Sequence, residues 1–253
     1  LLSLERRIQA RTDRGAFATA RGALGGSDGG VRVMLREPLP VSGIARAMGI
    51  TRQSVQALVD GCVAAALPLV DRGFAYGDGL FETIRIAGGR PLWWEAHLQR
   101  LARGCNALGI DMPSTELLAT ELAMLFGADD GVLRLVLTRG DGGRGYAPAQ
   151  AHPTRRVLLR HPVPAPPTAP LVVGWAAVQL GIQPRLAGLK HLNRLEQVLA
   201  ARECAALGVD ECLLLDSGGA VTCAISGNLF VVTNGQLRTP SLDRCGVAGT
   251  CRE

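Results

Sequence analysis

Lysine is almost missing from this chain: 26 of its 27 basic residues are arginine, and the remaining one is Lys190. Guanidinium stays charged at any physiological pH, whereas an amine can lose its proton near neutrality and form an imine with a carbonyl. Keeping one amine among so many arginines marks Lys190 as a candidate Schiff-base lysine; the plainer reading is a solvated lysine near a helix start. Long apolar runs are missing too. None reaches the ~20 residues a membrane-spanning helix requires, and the N-terminus lacks the apolar core of a signal peptide. The seven cysteines (62, 105, 204, 212, 223, 245 and 251) contain no CxxC pair and form no ligand-like group with the four histidines. That pattern excludes a disulfide scaffold or zinc ribbon and reads as reduced thiols, most of them small core residues. What remains is a cytoplasmic globular protein of one or two domains, for which 253 residues at 47% apolar content suffice.

Charge is unevenly placed. Residues 1–58 hold nine arginines against four acids, while 59–253 hold 18 basic and 18 acidic residues, so the net +5 belongs to the first quarter. Nucleic-acid affinity needs a concentrated basic surface, and the balanced remainder argues against DNA as a partner. Residues 1–30, with the tract Gly25-Gly26-Ser27-Asp28-Gly29-Gly30, show little periodicity and read as partly disordered or marginally helical. The segment 41–58 resembles the helix-turn-helix of MarR-type regulators: Gly49 suits the turn, Ile50, Val55 and Leu58 could pack a second helix, and Thr51, Arg52, Gln53 and Ser54 would face a groove. A conflict follows at its end, because Leu58-Val59-Asp60-Gly61-Cys62-Val63 reads equally well as a hairpin with an Asp-Gly turn.

Beyond residue 59 the chain changes character. Leu69 to Tyr76 reads as a glycine-punctuated turn that leads into a strand through Ile86, and Gly88-Gly89 turn the chain back. Apolar spacing predicts helices over 95–108, which places His97 and Arg100 one turn apart, and over 115–125. Val132–Arg139 reads as a buried strand ending in the loop Gly140-Asp141-Gly142-Gly143-Arg144-Gly145-Tyr146, whose glycines give the backbone freedom to approach a ligand and where two arginines, Arg139 and Arg144, could hold an anion. Residues 155–161 form another strand, and the proline-rich 162–170 is the best boundary in the chain. Strands over 171–178 and 211–216, a helix over 193–207, and a helix start at Gly249-Thr250-Cys251, whose free N–H groups suit a phosphate, complete the reading.

Taken in order, these pieces resemble the fold-type IV pyridoxal-phosphate enzymes, a group of branched-chain and D-amino-acid aminotransferases and 4-amino-4-deoxychorismate lyases. The resemblance covers about Val59 to Glu253. The loop 138–146 and the run Leu189-Lys190-His191-Leu192-Asn193-Arg194-Leu195-Glu196-Gln197-Val198 look like the lyases in particular. The resemblance implies an α+β architecture of two α/β domains: an extension over 1–57, a small domain over 58–161, a linker over 162–170 and a cofactor-binding domain over 171–253. It implies a homodimer with pyridoxal 5'-phosphate on Lys190. Arg100, Asn228, Gly249, Thr250 and Cys251 would surround that cofactor, with Arg144, Arg139 and Tyr146 toward the substrate, aminodeoxychorismate. Its chemistry would be loss of the C4 proton to the lysine amine and of enolpyruvate from C3, giving 4-aminobenzoate, a folate precursor, and pyruvate.

One position departs from the pattern. Where the family usually has a glutamate against the pyridine nitrogen, five residues before Asn228, this chain has Cys223. A neutral thiol is a weak partner for a pyridinium, and a lyase with an aromatic product tolerates that better than an aminotransferase. Against the family the chain also reads as an incomplete enzyme with a foreign N-terminus: it starts at Leu1 and stops at Glu253, three residues past Thr250, too few for a stable helix. Weak cofactor retention and poor solubility are the corresponding expectation.

Overall fold

A computed structural model describes residues 57–59, 62–63, 67–142, 145–148 and 153–252. Two sheets organise them. The larger is a six-stranded antiparallel sheet in the order β2-β1-β6-β5-β3-β4, built from β1 (Ala57–Val59), β2 (Cys62–Val63), β3 (Gly79–Ala87), β4 (Arg90–Pro91), β5 (Gly131–Thr138) and β6 (Arg155–His161). Its helices are α1 (Arg72–Tyr76), α2 (Trp94–Leu108) and α3 (Thr115–Phe126). Period-2 alternation along β5 sends Leu133, Leu135 and Leu137 into the core and turns Arg134 to the opposite face. Antiparallel register sets Leu80 against Leu137, Glu82 against Leu135 and Ile84 against Leu133. The helix-facing side therefore carries a nearly continuous leucine and isoleucine layer against Leu98, Leu101, Leu118 and Leu122. Each such side chain, fully buried, contributes roughly 1.5–3 kcal/mol.

Residues 162–170 run exposed and without regular structure. Beyond them lies the three-stranded sheet β7-β8-β9 (Val173–Trp175, Glu211–Leu215, Val221–Ala224), with β7 parallel and β9 antiparallel to β8. Helix α4 (Leu195–Leu207) covers it through Ala200 and Cys204. Four of the eight buried apolar residues of this second core are cysteines (204, 212, 223 and 245), all free thiols, as the sequence led us to expect. A separate hairpin, β10 (Val231–Thr233) and β11 (Gln236–Arg238), and a 3-10 turn at Thr250–Arg252 follow. No described helix is long and apolar enough to cross a membrane.

Several local readings are corrected. At Leu58 the strand prevails: 57–59 and 62–63 pair as a hairpin, so a second helix of a helix-turn-helix does not run through Leu58. The rest of that segment lies outside the described residues. The turn read at 69–76 contains a short helix, because the Asp71 carboxylate caps the Phe74 N–H and Gly77 ends it in the left-handed region, with φ 67°. Strand β7 is three residues long, not eight, because the Glu203 carboxylate accepts from the Ala177 and Val178 N–H groups that a longer ladder would use. Thr250 opens a 3-10 turn and not an α-helix within the described residues.

Candidate active site

Lys190 sits between two elements that grip its backbone. The Phe81 N–H of β3 donates to the Lys190 carbonyl at 2.9 Å and the Leu192 N–H donates to Gly79 at 3.0 Å. On the other side the Gly188 N–H donates to Gly246 at 3.0 Å, and the Ala248 N–H donates to Gly188 at 3.1 Å. The amine is thereby fixed over the face of Phe81, with Nζ 4.4 Å from the ring centroid. Close approach explains Gly77 nearby: a Cβ there would lie 2.4 Å from Asn193 Oδ1, and Asn193 Nδ2 donates to the Gly77 carbonyl.

Lys190 opens on a cavity of about 440 Å³. Its floor on the β3–β5 side is Phe81, Thr83 and Arg134; α4 and its approach add Arg194 and Gln197; β9 and the following turn add Cys223 through Asn228; Gly246, Val247 and Gly249 close the rim. Arg100 reaches in from α2. The wall is cationic. Arg134 stands 4.3 Å over the Phe81 ring and pairs with no carboxylate among the described residues. Arg194 donates from Nε to the His191 carbonyl at 2.9 Å and from a terminal nitrogen to the Leu189 carbonyl at 3.0 Å. Burial, then the Arg100 charge, with Arg194 and Arg134 adding and Glu82 opposing, push the Lys190 amine down to about 8.

Behind the wall a buried triad fixes Arg100. Alternation on β3 turns Glu82 toward α2, where its carboxylate accepts from Arg100 Nε at 2.7 Å, accepts from a terminal Arg100 nitrogen, and pairs with His97 Nδ1 at 2.8 Å. The other terminal nitrogen of Arg100 donates to the Ala248 carbonyl at 3.0 Å. Asn228 ties the same loop, donating to Val247 and accepting from the Gly249 N–H, both at 2.8 Å. Gly249 has no room for a side chain: a Cβ would stand 2.1 Å from Asn228 Oδ1. Burial alone would raise Glu82, but the bonds and charges of Arg100 and His97 outweigh it and hold its carboxyl below the ordinary value. Two buried polar atoms have no partner among the described residues, His191 Nδ1 and Gln197 Oε1. The second belongs to a residue that lines the cavity, which is where a ligand donor would satisfy it.

The family model of class IV amino-transferases matches residues 79–253. The chain belongs to the class IV aminotransferase family. It is similar to an aminodeoxychorismate lyase of Vibrio harveyi, 34% identical over 199 residues that cover 77% of this chain and 73% of that one. A crystal structure of 4-amino-4-deoxychorismate lyase from Pseudomonas aeruginosa matches with 47% identity and a TM-score of 0.73, covering 78% of this chain and 74% of that one. A Methanocaldococcus jannaschii protein with a provisional branched-chain-amino-acid aminotransferase name is 32% identical over 201 residues, 75% of this chain and 68% of its own.

Within this class IV fold the anticipated residues divide. Lys190, Arg100, Asn228, Gly249 and Cys223 meet at the cavity. Thr250 and Cys251 line a separate hollow with Trp93 and Trp94. Arg144 lies outside the described residues. Arg139 is occupied elsewhere: it donates to both Asp78 oxygens, at 2.8 and 3.1 Å, and to the carbonyls of Leu108 and Gly109. Tyr146 is 85% exposed, its ring 5.5 Å from that of Tyr76. Neither lines the cavity of this chain. Asp78 also accepts from Arg72 at 2.8 Å, so Asp78→Asn, which strands two largely buried guanidinium groups, is expected to cost about 3 kcal/mol in urea unfolding. Sequence reasoning missed Glu82, Arg134, Arg194 and Gln197 as site residues. The legible signal was a charged residue in the middle of each apolar strand, Glu82 in β3 and Arg134 in β5.

Proposed function

We propose that this protein is a pyridoxal-phosphate-dependent lyase that converts 4-amino-4-deoxychorismate to 4-aminobenzoate and pyruvate. One observation carries the reading: the amine of the chain's single lysine, held near pKa 8, faces a cavity with three guanidinium groups. Such a wall suits a phosphate and a substrate with two carboxylates, and the unpartnered Gln197 Oε1 offers a bound ring or amine an acceptor. Lys190 would hold the cofactor aldehyde, and Arg100 with the rim at Gly249 would hold its phosphate. Arg134 and Arg194 would meet substrate carboxylates. When bound, pyridoxal phosphate supplies a conjugated ring that accepts electron density from the substrate.

The chain's own residues do the rest. Lys190, freed as a neutral amine, takes the C4 proton; the C4–H electron pair becomes the C3=C4 double bond as the C3–O bond breaks, and the departing enolpyruvate takes up a proton to become pyruvate. Partial neutrality near pH 7 is what the depressed amine contributes, since a base works best with a pKa close to the working pH. The division at 162–170, a homodimer, and a cytoplasmic role in making a folate precursor are part of the same reading.

Incubation of the purified protein with aminodeoxychorismate, following 4-aminobenzoate by fluorescence and pyruvate by a coupled dehydrogenase, tests it. Equal yields of the two products are expected. An alternative reading, amino transfer, is favoured by the similarity to the Methanocaldococcus protein; product formation only from an amino acid plus a 2-oxo acid would replace the lyase with it. Arg134→Gln is expected to raise the Michaelis constant for aminodeoxychorismate by roughly 10- to 100-fold, the worth of one lost charged hydrogen bond, without removing the cofactor absorbance. Loss of that absorbance would move Arg134 to the cofactor side.

A further inference from the structure

The cavity wall holds no carboxylate among the described residues: its ionisable groups are Lys190, Arg100, Arg134, Arg194 and the Cys223 thiol. The acids packed behind it are committed. Glu82 is held by Arg100 and His97. Glu211 accepts from the N–H groups of Cys212 and Ile225 and from the Ser226 hydroxyl, and Glu196 accepts from the Gly181 N–H. Burial, followed by the neighbouring Cys245, pushes the Cys223 thiol up to about 11, so it stays neutral.

A pyridine-type nitrogen keeps a proton at neutral pH only beside an anion that stabilises the resulting cation, and nearby positive charge works against it. Wherever the ring nitrogen of a bound cofactor lies in this cavity, it meets guanidinium, amide, hydroxyl or thiol and, among the described residues, no carboxylate. We infer that the site holds pyridoxal phosphate with its ring nitrogen unprotonated, and that this restricts the enzyme to eliminations whose product is aromatic. This inference rests on the cofactor assignment above. A neutral pyridine draws electrons less strongly than a pyridinium, so negative charge developing at C4 is poorly sustained. Elimination does not need it sustained, because the electron pair moves at once into the C3=C4 bond. Amino transfer does, because the charge must persist until a proton returns at another carbon.

Pyridoxal phosphate labelled with 15N in the ring, bound to the wild-type protein, reads the protonation state directly. A pyridine-type nitrogen resonance at neutral pH is expected, and Cys223→Glu should shift it to the pyridinium position and open conversion of simple amino acids to oxo acids. A pyridinium resonance in the wild-type complex overturns the inference while leaving the lyase reading intact. Failure of the labelled cofactor to attach to the protein at all overturns both.

Discussion

Lys190→Met is expected to abolish catalysis and, in the cofactor-free protein, to raise stability. Loss of a group that transfers a proton alone costs roughly 10²- to 10⁴-fold in rate, and loss of the attachment point removes any borohydride-fixable adduct as well. The stability gain follows from the sign of the amine's shift. A free lysine titrates at 10.5, and burial and the neighbouring arginines bring Lys190 to about 8. Below pH 8 the amine is charged in the folded and unfolded chain alike, and the folded protein bears the whole cost of burying it, on the order of 3 kcal/mol. Between about 8 and 10.5 the unfolded chain holds a proton that the folded one lacks, so stability climbs with pH. Urea unfolding at neutral pH should therefore show the methionine variant more stable than wild type, with the gap closing as pH rises from about 8 to 10.5. A gap that does not change with pH would mean that the amine is solvated, which is the plain reading of a single lysine.

Much of this was legible because the relevant signals are local. Short apolar runs bounded by charged residues and turn signals marked β5 to within a residue at each end and β6 at both ends, since such a run is long enough for a strand and too short for a helix. The rarity of lysine marked Lys190 without any structure. Asn228 and Gly249 were legible as a pair only by resemblance; the structure joins them by a hydrogen bond and leaves no room for a Cβ at Gly249. What stayed hidden depends on contacts across the chain. Arg139 looked free beside a glycine-rich loop, yet Asp78, 61 residues away, takes both its ends. Helix α1 is held by a side-chain cap at Asp71, whose carboxylate is itself fixed by Thr138 at 2.7 Å, a contact no local window contains. Arg194 reads as one more helix arginine until its guanidinium is seen bonded to the carbonyls of Leu189 and His191, folded back over the lysine segment.

Glu82→Gln carries the second large effect. This carboxylate is 1% exposed, and it is the countercharge to Arg100 and the partner of His97. Removing its charge leaves a buried guanidinium uncompensated, which typically costs 3–5 kcal/mol. Because the Glu82 carboxyl is held below its ordinary value of 4.5, its contribution is complete above that pH. It is lost as pH falls through the lower folded value, so the deficit of the variant should persist from neutrality down to about pH 4.5 and shrink only below it. A second readout separates this electrostatic role from simple packing. Glu82 is the one acid that raises the Lys190 amine against the pull of burial and three arginines. With a single lysine in the chain, selective 13C labelling of the lysine side chain gives one resonance whose pH titration reports that amine alone. The cofactor-free wild type should titrate near 8, and the glutamine variant lower. An unchanged midpoint, with stability lost all the same, would reduce Glu82 to a structural brace for Arg100 and remove it from the electrostatics of the amine.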